Sequence, residues 1–226
     1  MRLLLVAATE LELAPLVGKL TPASHSSERV RAFTHGPHNV DVLTTGVGMT
    51  ATATWCARVL ARQPYDLAVN LGVCGSFDAA CPSGTVVNVV GDQIPELGAE
   101  DGDQFLTVYQ LGLLGPDDAP FRGGRLVNSE PDSNRVVAAL PKVHGITVNT
   151  VHGDAGSIAR VVERVKPDVE SMEGAAFMHA CLVSSARCAQ VRAVSNMVEK
   201  RNRAAWKMGE AVAALTDVGL RLIEQG

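Results

Sequence analysis

Tyr65-Asp66-Leu67-Ala68-Val69-Asn70-Leu71 runs without a break into Gly72-Val73-Cys74-Gly75-Ser76. The first half is an aliphatic run with little polar alternation, which predicts a strand buried on both faces of a helix-covered sheet. The second half is rich in glycine and marks where the chain leaves that sheet. Upstream lies an Ala/Thr-rich helical segment, Thr50 to Arg62, that follows Gly46-Val47-Gly48-Met49. Before it come two predicted strands, Arg29 to Thr34 and Val40 to Thr45, joined by the turn His35-Gly36-Pro37-His38-Asn39. Leu3 to Ala8 predicts a first buried strand. Thr9 follows as a helix N-cap with Glu12 three positions on, a capping-box spacing, and a helix to about Leu20.

Downstream, Thr85 to Val90 and Ile146 to Val151 read as strands, Gly153-Asp154-Ala155-Gly156 as a turn and Arg160 to Val165 as helix. Val169 to Met172 is a short strand running into a helix from Glu173 to about Ala186. Gln190 to Ser195 is the last strand, and Ala204 to Glu224 an amphipathic terminal helix. Gly91 to Gly124, rich in Gly, Pro and Asp, is expected to hold irregular loops with one or two short strands. Strands and helices alternate with no repeat, low-complexity tract or linker. That predicts one α/β domain over residues 1–226, layered around a central sheet. In such folds ligands sit at the carboxyl ends of strands. The residues of unusual type gather there: Glu10 and Glu12, Gly46-Val47-Gly48, Gly72 to Ser76, Met172-Glu173 and Ser195-Asn196. The pattern points to an enzyme acting on a small ligand.

A chain of 226 residues can bury a sizeable core, and with aromatics at 4% that core must be built from Ala, Val and Leu. The net charge of −4 and the lack of a basic stripe argue against a nucleic-acid partner. No apolar run approaches the ~20 residues of a membrane helix, so no membrane partner is expected. Met1 to Ala8 is too short for a signal segment and acidic residues follow at once. The five cysteines are odd in number and form no C-x-x-C pair, which predicts reduced, buried thiols in a cytoplasmic protein. His35, His38, His144, His152 and His179 lack metal-ligand spacing and read as structural or surface residues, so no metal is expected.

Several segments, taken in order, resemble the 5′-methylthioadenosine/S-adenosylhomocysteine nucleosidase family. They are Met1 to Leu16 with Ala8-Thr9-Glu10-Leu11-Glu12, then Gly46-Val47-Gly48, Asn70-Leu71-Gly72-Val73-Cys74-Gly75, Glu170-Ser171-Met172-Glu173-Gly174-Ala175-Ala176 and Val191-Arg192-Ala193-Val194-Ser195-Asn196. Each segment alone is a weak signal; the ordered set, covering nearly the whole chain, is a strong one. Ser195-Asn196-Met197-Val198-Glu199-Lys200-Arg201-Asn202-Arg203-Ala204-Ala205-Trp206-Lys207 is similar to the corresponding stretch of the futalosine hydrolase branch of that superfamily. The resemblance implies a nucleoside phosphorylase-like, three-layer α/β/α fold with a mixed sheet. It also implies hydrolysis of a purine nucleoside's N-glycosidic bond, no cofactor, and a homo-oligomer, dimer or larger.

Breaking that bond passes through an oxocarbenium-like sugar. The reaction needs a carboxylate to activate water, a grip on the ribose and a hydrogen-bonding partner for the departing base. The resemblance assigns these roles to Glu12, to Glu173 with Met172, and to Asn196. Local readings compete: Glu12 as a capping-box residue, Glu173 as a first-turn acid favoured by the helix dipole, Asn196 as a loop cap. Adenine nucleosidases carry Asp at the position of Asn196. An amide offers one acceptor and two donors and suits the 6-oxo purine hypoxanthine better than adenine. Val73 stands where the family usually has Ser, so Val73, Cys74 and Gly75 are expected to meet the base through backbone or apolar contacts. Gly156 stands where adenine nucleosidases carry a stacking aromatic. Arg201 and Arg203 are candidates for a substrate carboxylate, against the alternative of a solvated charge cluster. Trp206 reads as core or a subunit contact. The alternatives are a methylthioadenosine-type or aminofutalosine nucleosidase, a phosphorylase and a non-catalytic nucleoside-binding protein. The phosphorylase reading is weakened by carboxylates after the first strand, where phosphate would be repelled.

Overall fold

The first strand builds two cores at once. In β1 (Arg2–Ala7) every residue after Arg2 is buried, and successive side chains point to opposite faces. Leu3, Leu5 and Ala7 enter one core and Leu4 and Val6 another. The computed structural model describes residues 1–27, 29–128, 130 and 134–225. After β1 come α1 (Glu10–Val17), β2 (Thr21–Ser26), β3 (Val30–His35), β4 (His38–Thr44), α2 (Met49–Leu60), β5 (Leu67–Ser76) and β6 (Val86–Gln93). The chain continues through the hairpin β7 (Gly98–Asp101) and β8 (Gln104–Thr107), then β9 (Phe121–Arg122), β10 (Arg125–Val127), α3 (Arg135–Ala138) and β11 (Lys142–Thr147). It ends with α4 (Ala155–Val165), β12 (Val169–Ser171), α5 (Gly174–Val183), β13 (Cys188–Met197), a 3-10 turn (Arg203–Ala205) and α6 (Met208–Glu224).

Among the described residues the main sheet has eleven strands in the order β2-β3-β4-β1-β5-β12-β11-β6-β10-β9, with β13 bridging β5 and β6. Both parallel and antiparallel pairs occur along it, so the sheet is mixed as expected. The first core lies under α1, α3 and α6, through residues such as Leu16, Val137 and Leu215. The second lies under α2 and α5, through Cys56, Val59 and Phe177. Helices therefore cover both faces, which is the three-layer arrangement. Leu3, Leu4 and Leu5 are fully buried, and truncating any of them to Ala would cost about 2–5 kcal/mol.

β5 positions the site. Along one edge β1 pairs with Leu67 to Asn70, while β12 pairs with Gly75 and Ser76. Between these two stretches that edge of β5 has no strand partner among the described residues. β13 follows the other edge from Ala68 to Ser76. The sheet thus forks at Gly72, and β5, β13, β6, β11 and β12 close into a ring beyond the fork. A fork in strand order leaves a crevice where loops diverge, the usual place for a ligand in open α/β sheets.

Several boundaries differ from the sequence reading. β2 was not expected; its Pro22 pairs with Phe33 across a register shift, and alternation there is masked by polar residues. The expected turn at 153–156 is instead the start of α4. The Asp154 carboxylate caps the Ser157 N–H at 3.0 Å, which carries Ala155 and Gly156 into the helix. The strand expected at 146–151 is Lys142–Thr147, and α6 begins at Met208 instead of Ala204. The region from Gly91 to Gly124 holds more order than expected: the end of β6, the β7–β8 hairpin and β9.

Candidate active site

At the fork lies a cavity of about 400 Å³. Glu12, Val73, Cys74, Gly75, Met172, Glu173, Asn196 and Arg201 all line it. These are eight of the nine residues singled out from sequence, brought together from the ends of β1, β5, β12 and β13. Arg203 does not line the cavity; it sits exposed in the 3-10 turn.

Glu12 is 6% exposed and serves two structures at once. Its Oε2 accepts from the Thr9 N–H and the Thr9 hydroxyl, both at 2.9 Å. Its Oε1 accepts from the Val73 N–H at 3.2 Å. The capping reading and the site reading are therefore compatible, because each uses a different oxygen. Oxygen lone pairs remain for a water in the cavity.

Glu173 stands at the N-cap of α5, and it too is 6% exposed. Its Oε1 accepts from the Gly48 N–H at 3.0 Å. Gly48 has φ of +94°, which only glycine adopts readily, so the Gly46-Val47-Gly48 turn aims that N–H across the crevice. Oε2 faces Arg192 Nη1 at 3.9 Å.

Arg192, 1% exposed, is a charge at the floor of the site that sequence reading did not single out. The signal was available: one Arg inside the aliphatic strand β13. Its Nε donates to Gln190 Oε1 at 3.1 Å, and its Nη2 donates to Asn70 Oδ1. A methyl group on Gly72 would lie 2.2 Å from Arg192 Nη1 and 3.0 Å from Glu12 Oε1, so Gly72 admits both groups. Gln190 also donates to Asp92 at 3.0 Å, and Thr147 donates to the same carboxylate. Burial pushes the Asp92 carboxyl up to about 6, against the opposing pull of Gln190, Thr147 and Arg192.

At the far end of the cavity, Asn196 Nδ2 donates to the Met197 carbonyl at 2.9 Å, and Ser195 Oγ lies 2.9 Å from Asn196 Oδ1. One amide proton and one lone pair stay available. Val73, Val151 and Trp206 supply apolar wall. Trp206 is half-buried and carries the Arg201 guanidinium 5.5 Å from its ring centre; of its two expected places, core or subunit contact, the core is excluded, and it lines the cavity. Gly156, in the first turn of α4, does not line the cavity. Burial pushes the Cys74 thiol up to about 12, which leaves it un-ionised and unreactive at neutral pH. All five cysteines are buried and unpaired. His152, read from sequence as a structural or surface residue, is half-buried and contacts the buried carboxylate of Glu170 beside the cavity.

The arrangement combines a buried carboxylate at one strand end, a second carboxylate beside a buried cation, and an amide across an apolar gap. Such a set can deprotonate a water, hold a diol and hydrogen-bond a heterocycle.

The family model for the phosphorylase superfamily matches residues 2–224. A futalosine hydrolase of Streptomyces coelicolor is 35% identical over 193 residues, spanning 80% of this chain and 77% of the relative. One from Thermus thermophilus is 29% identical, over 81% and 80% of the two chains. Among solved structures, a futalosine hydrolase of Helicobacter pylori superposes with a TM-score of 0.82 at 11% identity, covering 100% of this chain and 98% of its own. A methylthioadenosine/S-adenosylhomocysteine nucleosidase of Colwellia psychrerythraea, in complex with adenine, superposes with a TM-score of 0.81 at 20% identity, over 100% and 95%. At these identities the structural matches establish the fold.

Proposed function

This chain belongs to the phosphorylase superfamily and, within it, to the futalosine hydrolases, and from that premise we propose that it hydrolyses the N-glycosidic bond of futalosine. The products are hypoxanthine and dehypoxanthine futalosine, a step of the futalosine route to menaquinone. The observation that carries the reading is the convergence of Glu12, Glu173 and Asn196 on one cavity at the fork of the sheet.

Glu12 takes a proton from water, whose oxygen bonds to C1′ as the C1′–N9 bond breaks and its electron pair passes to the purine. Glu173 accepts from the 2′- and 3′-hydroxyls of the ribose while Met172 packs on the sugar. Asn196 donates to the 6-oxo oxygen and accepts from N7–H of the departing base. N7 takes a proton from solvent as the bond breaks and Glu12 afterwards returns its proton to solvent, so the net addition of water places hydroxyl on the sugar and hydrogen on the base. Arg201 meets the substrate's carboxylate at the cavity mouth. No metal or cofactor takes part. Asn196 in place of Asp weighs against methylthioadenosine as substrate.

The reading extends to the whole molecule. Residues 1–226 act as one domain, on a small nucleoside instead of nucleic acid or a membrane. Among the described residues no helix is long and apolar enough to cross a membrane. The unpaired buried cysteines favour a cytoplasmic setting. A homo-oligomer is favoured by Leu11 and Val47, 65% and 58% exposed at the cavity rim, and by an apolar hollow between α1 and α6 beside them. Light scattering on purified protein reports the assembly.

The decisive assay is chromatography of purified enzyme with futalosine in phosphate-free buffer. Hypoxanthine should appear without phosphate. Cleavage of methylthioadenosine with futalosine left intact would overturn the assignment, and a requirement for phosphate would make the enzyme a phosphorylase.

A further inference from the structure

We propose that Glu170, held by His152, reads the N1–H of the purine and makes the site selective for 6-oxo over 6-amino nucleosides. The inference rests on the proposed nucleosidase function and adds a residue that determines its specificity.

Three neighbouring strands carry the argument. Gly75 of β5 is in register with Glu170 of β12 on one side and with Asn196 of β13 on the other. Adjacent strands lie about 4.8 Å apart, so Glu170 and Asn196 flank Gly75 across roughly 10 Å of backbone. Gly75 itself adds no side chain between them; a methyl group there would lie 2.8 Å from Val198 Cγ2 and 3.4 Å from Asn196 Nδ2, so Gly75 admits both of those side chains. Both flanking residues line the cavity. A planar bicyclic base seated in that cavity between them would meet an amide at one edge and a carboxylate at the other.

Glu170 is 4% exposed, and its ion-pair partner among the described residues is the His152 imidazole. The His152 backbone N–H donates to Oε1 at 3.0 Å, and Nδ1 contacts Oε2. A carboxylate has about four lone-pair sites, so two remain for the cavity. An ionised carboxylate only accepts hydrogen bonds. With the Asn196 amide on the N7 and position-6 edge, Glu170 faces N1. In a 6-oxo purine N1 carries hydrogen and donates to it. In a 6-amino purine N1 is a bare lone pair, which the carboxylate repels. His152 is a positioning residue that fixes where the carboxylate points.

The test compares kcat/KM for futalosine and for its 6-amino analogue, aminofutalosine, in the wild type and in Glu170→Gln. The variant keeps the shape and an oxygen for His152 but adds an N–H donor that suits a bare N1. The futalosine preference should fall by about 10- to 100-fold, the range expected when a buried polar group gains or loses its match. An unchanged ratio, with both substrates slowed equally, would overturn the proposal and leave Glu170 a structural residue. Inhibition of the wild type by the free bases gives a readout that needs no variant: hypoxanthine should bind at least tenfold more tightly than adenine, and equal binding would also overturn it. Failure of the wild type to release hypoxanthine from futalosine would instead strike the proposed function itself.

Discussion

At the Glu12–Glu173 end of the cavity, the carboxylates are held by backbone N–H groups of Val73, Thr9 and Gly48 and by the buried Arg192. At the Glu170–Asn196 end, side chains supply part of the hold beside the His152 N–H and the Met197 carbonyl: the His152 ring on Glu170, Ser195 on Asn196, and Trp206 under Arg201. Backbone donors at strand ends cannot change without changing the fold, whereas side-chain partners can be exchanged one at a time. The first end therefore suits what all N-glycoside hydrolysis shares, a water and a ribose. The second suits what differs between substrates, the base and its distant carboxylate.

The largest effect should come from the first end. Glu12→Gln keeps an oxygen for the Thr9 cap but removes the base, and kcat should fall by about 10²–10⁴-fold with KM for futalosine little changed. Steady-state kinetics on folded protein measures this. A loss under tenfold would mean that the rigid end does not carry the chemistry, and the contrast between the ends would fail.

Arg192→Met probes the same end through stability. Removing the guanidinium strands Glu173, Gln190 and Asn70 around an uncompensated buried charge, which costs about 3–5 kcal/mol. Urea unfolding should show a lowered midpoint. A cost under 1 kcal/mol would indicate that water already reaches Glu173 and that this end is softer than its burial implies.

Asn196→Asp moves to the other end and should redirect the enzyme without disabling it. A protonated Asp donates to N7 and, ionised, accepts from a 6-amino group, so the ratio of 6-amino to 6-oxo turnover should rise by about tenfold. Parallel loss on both substrates would show that Asn196 holds the loop and not the base.

The two ends also differed in how far they could be read from sequence. Glu12 and Glu173 announce themselves as carboxylates where aliphatic strands stop, and the two glycines of Gly46-Val47-Gly48 mark a turn that neither Ala nor Val could make. The alternation of aliphatic strands and helices likewise gave the layers. The fork at Gly72 was not legible, because β1 and β12 share one edge of β5 only after folding brings them there. Arg192 was quoted as part of a motif, yet its place under both carboxylates depends on pairing between distant strands. The His152–Glu170 contact joins residues 18 positions apart whose spacing matches no helix or strand period. Ends of elements were misplaced where a side chain decided them, as Asp154 does for α4.

The smallest effect separates the two arginines that sequence treated as equals. Arg201 lines the cavity and stacks on Trp206, whereas Arg203 points away in the 3-10 turn. Arg201 is exposed, so its pairing with a substrate carboxylate is screened by water and worth about 0.2–1 kcal/mol. Arg201→Ala should therefore raise KM for futalosine by only about two- to fivefold, with kcat unchanged, and Arg203→Ala should leave both alone. Inosine lacks the carboxylate, so its KM should not respond to Arg201→Ala. Added salt should weaken futalosine binding to the wild type and lose that influence in the variant. An equal rise for inosine would place Arg201 on the purine or on the Trp206 wall, which would make the flexible end a single base site with no separate hold on the rest of the substrate.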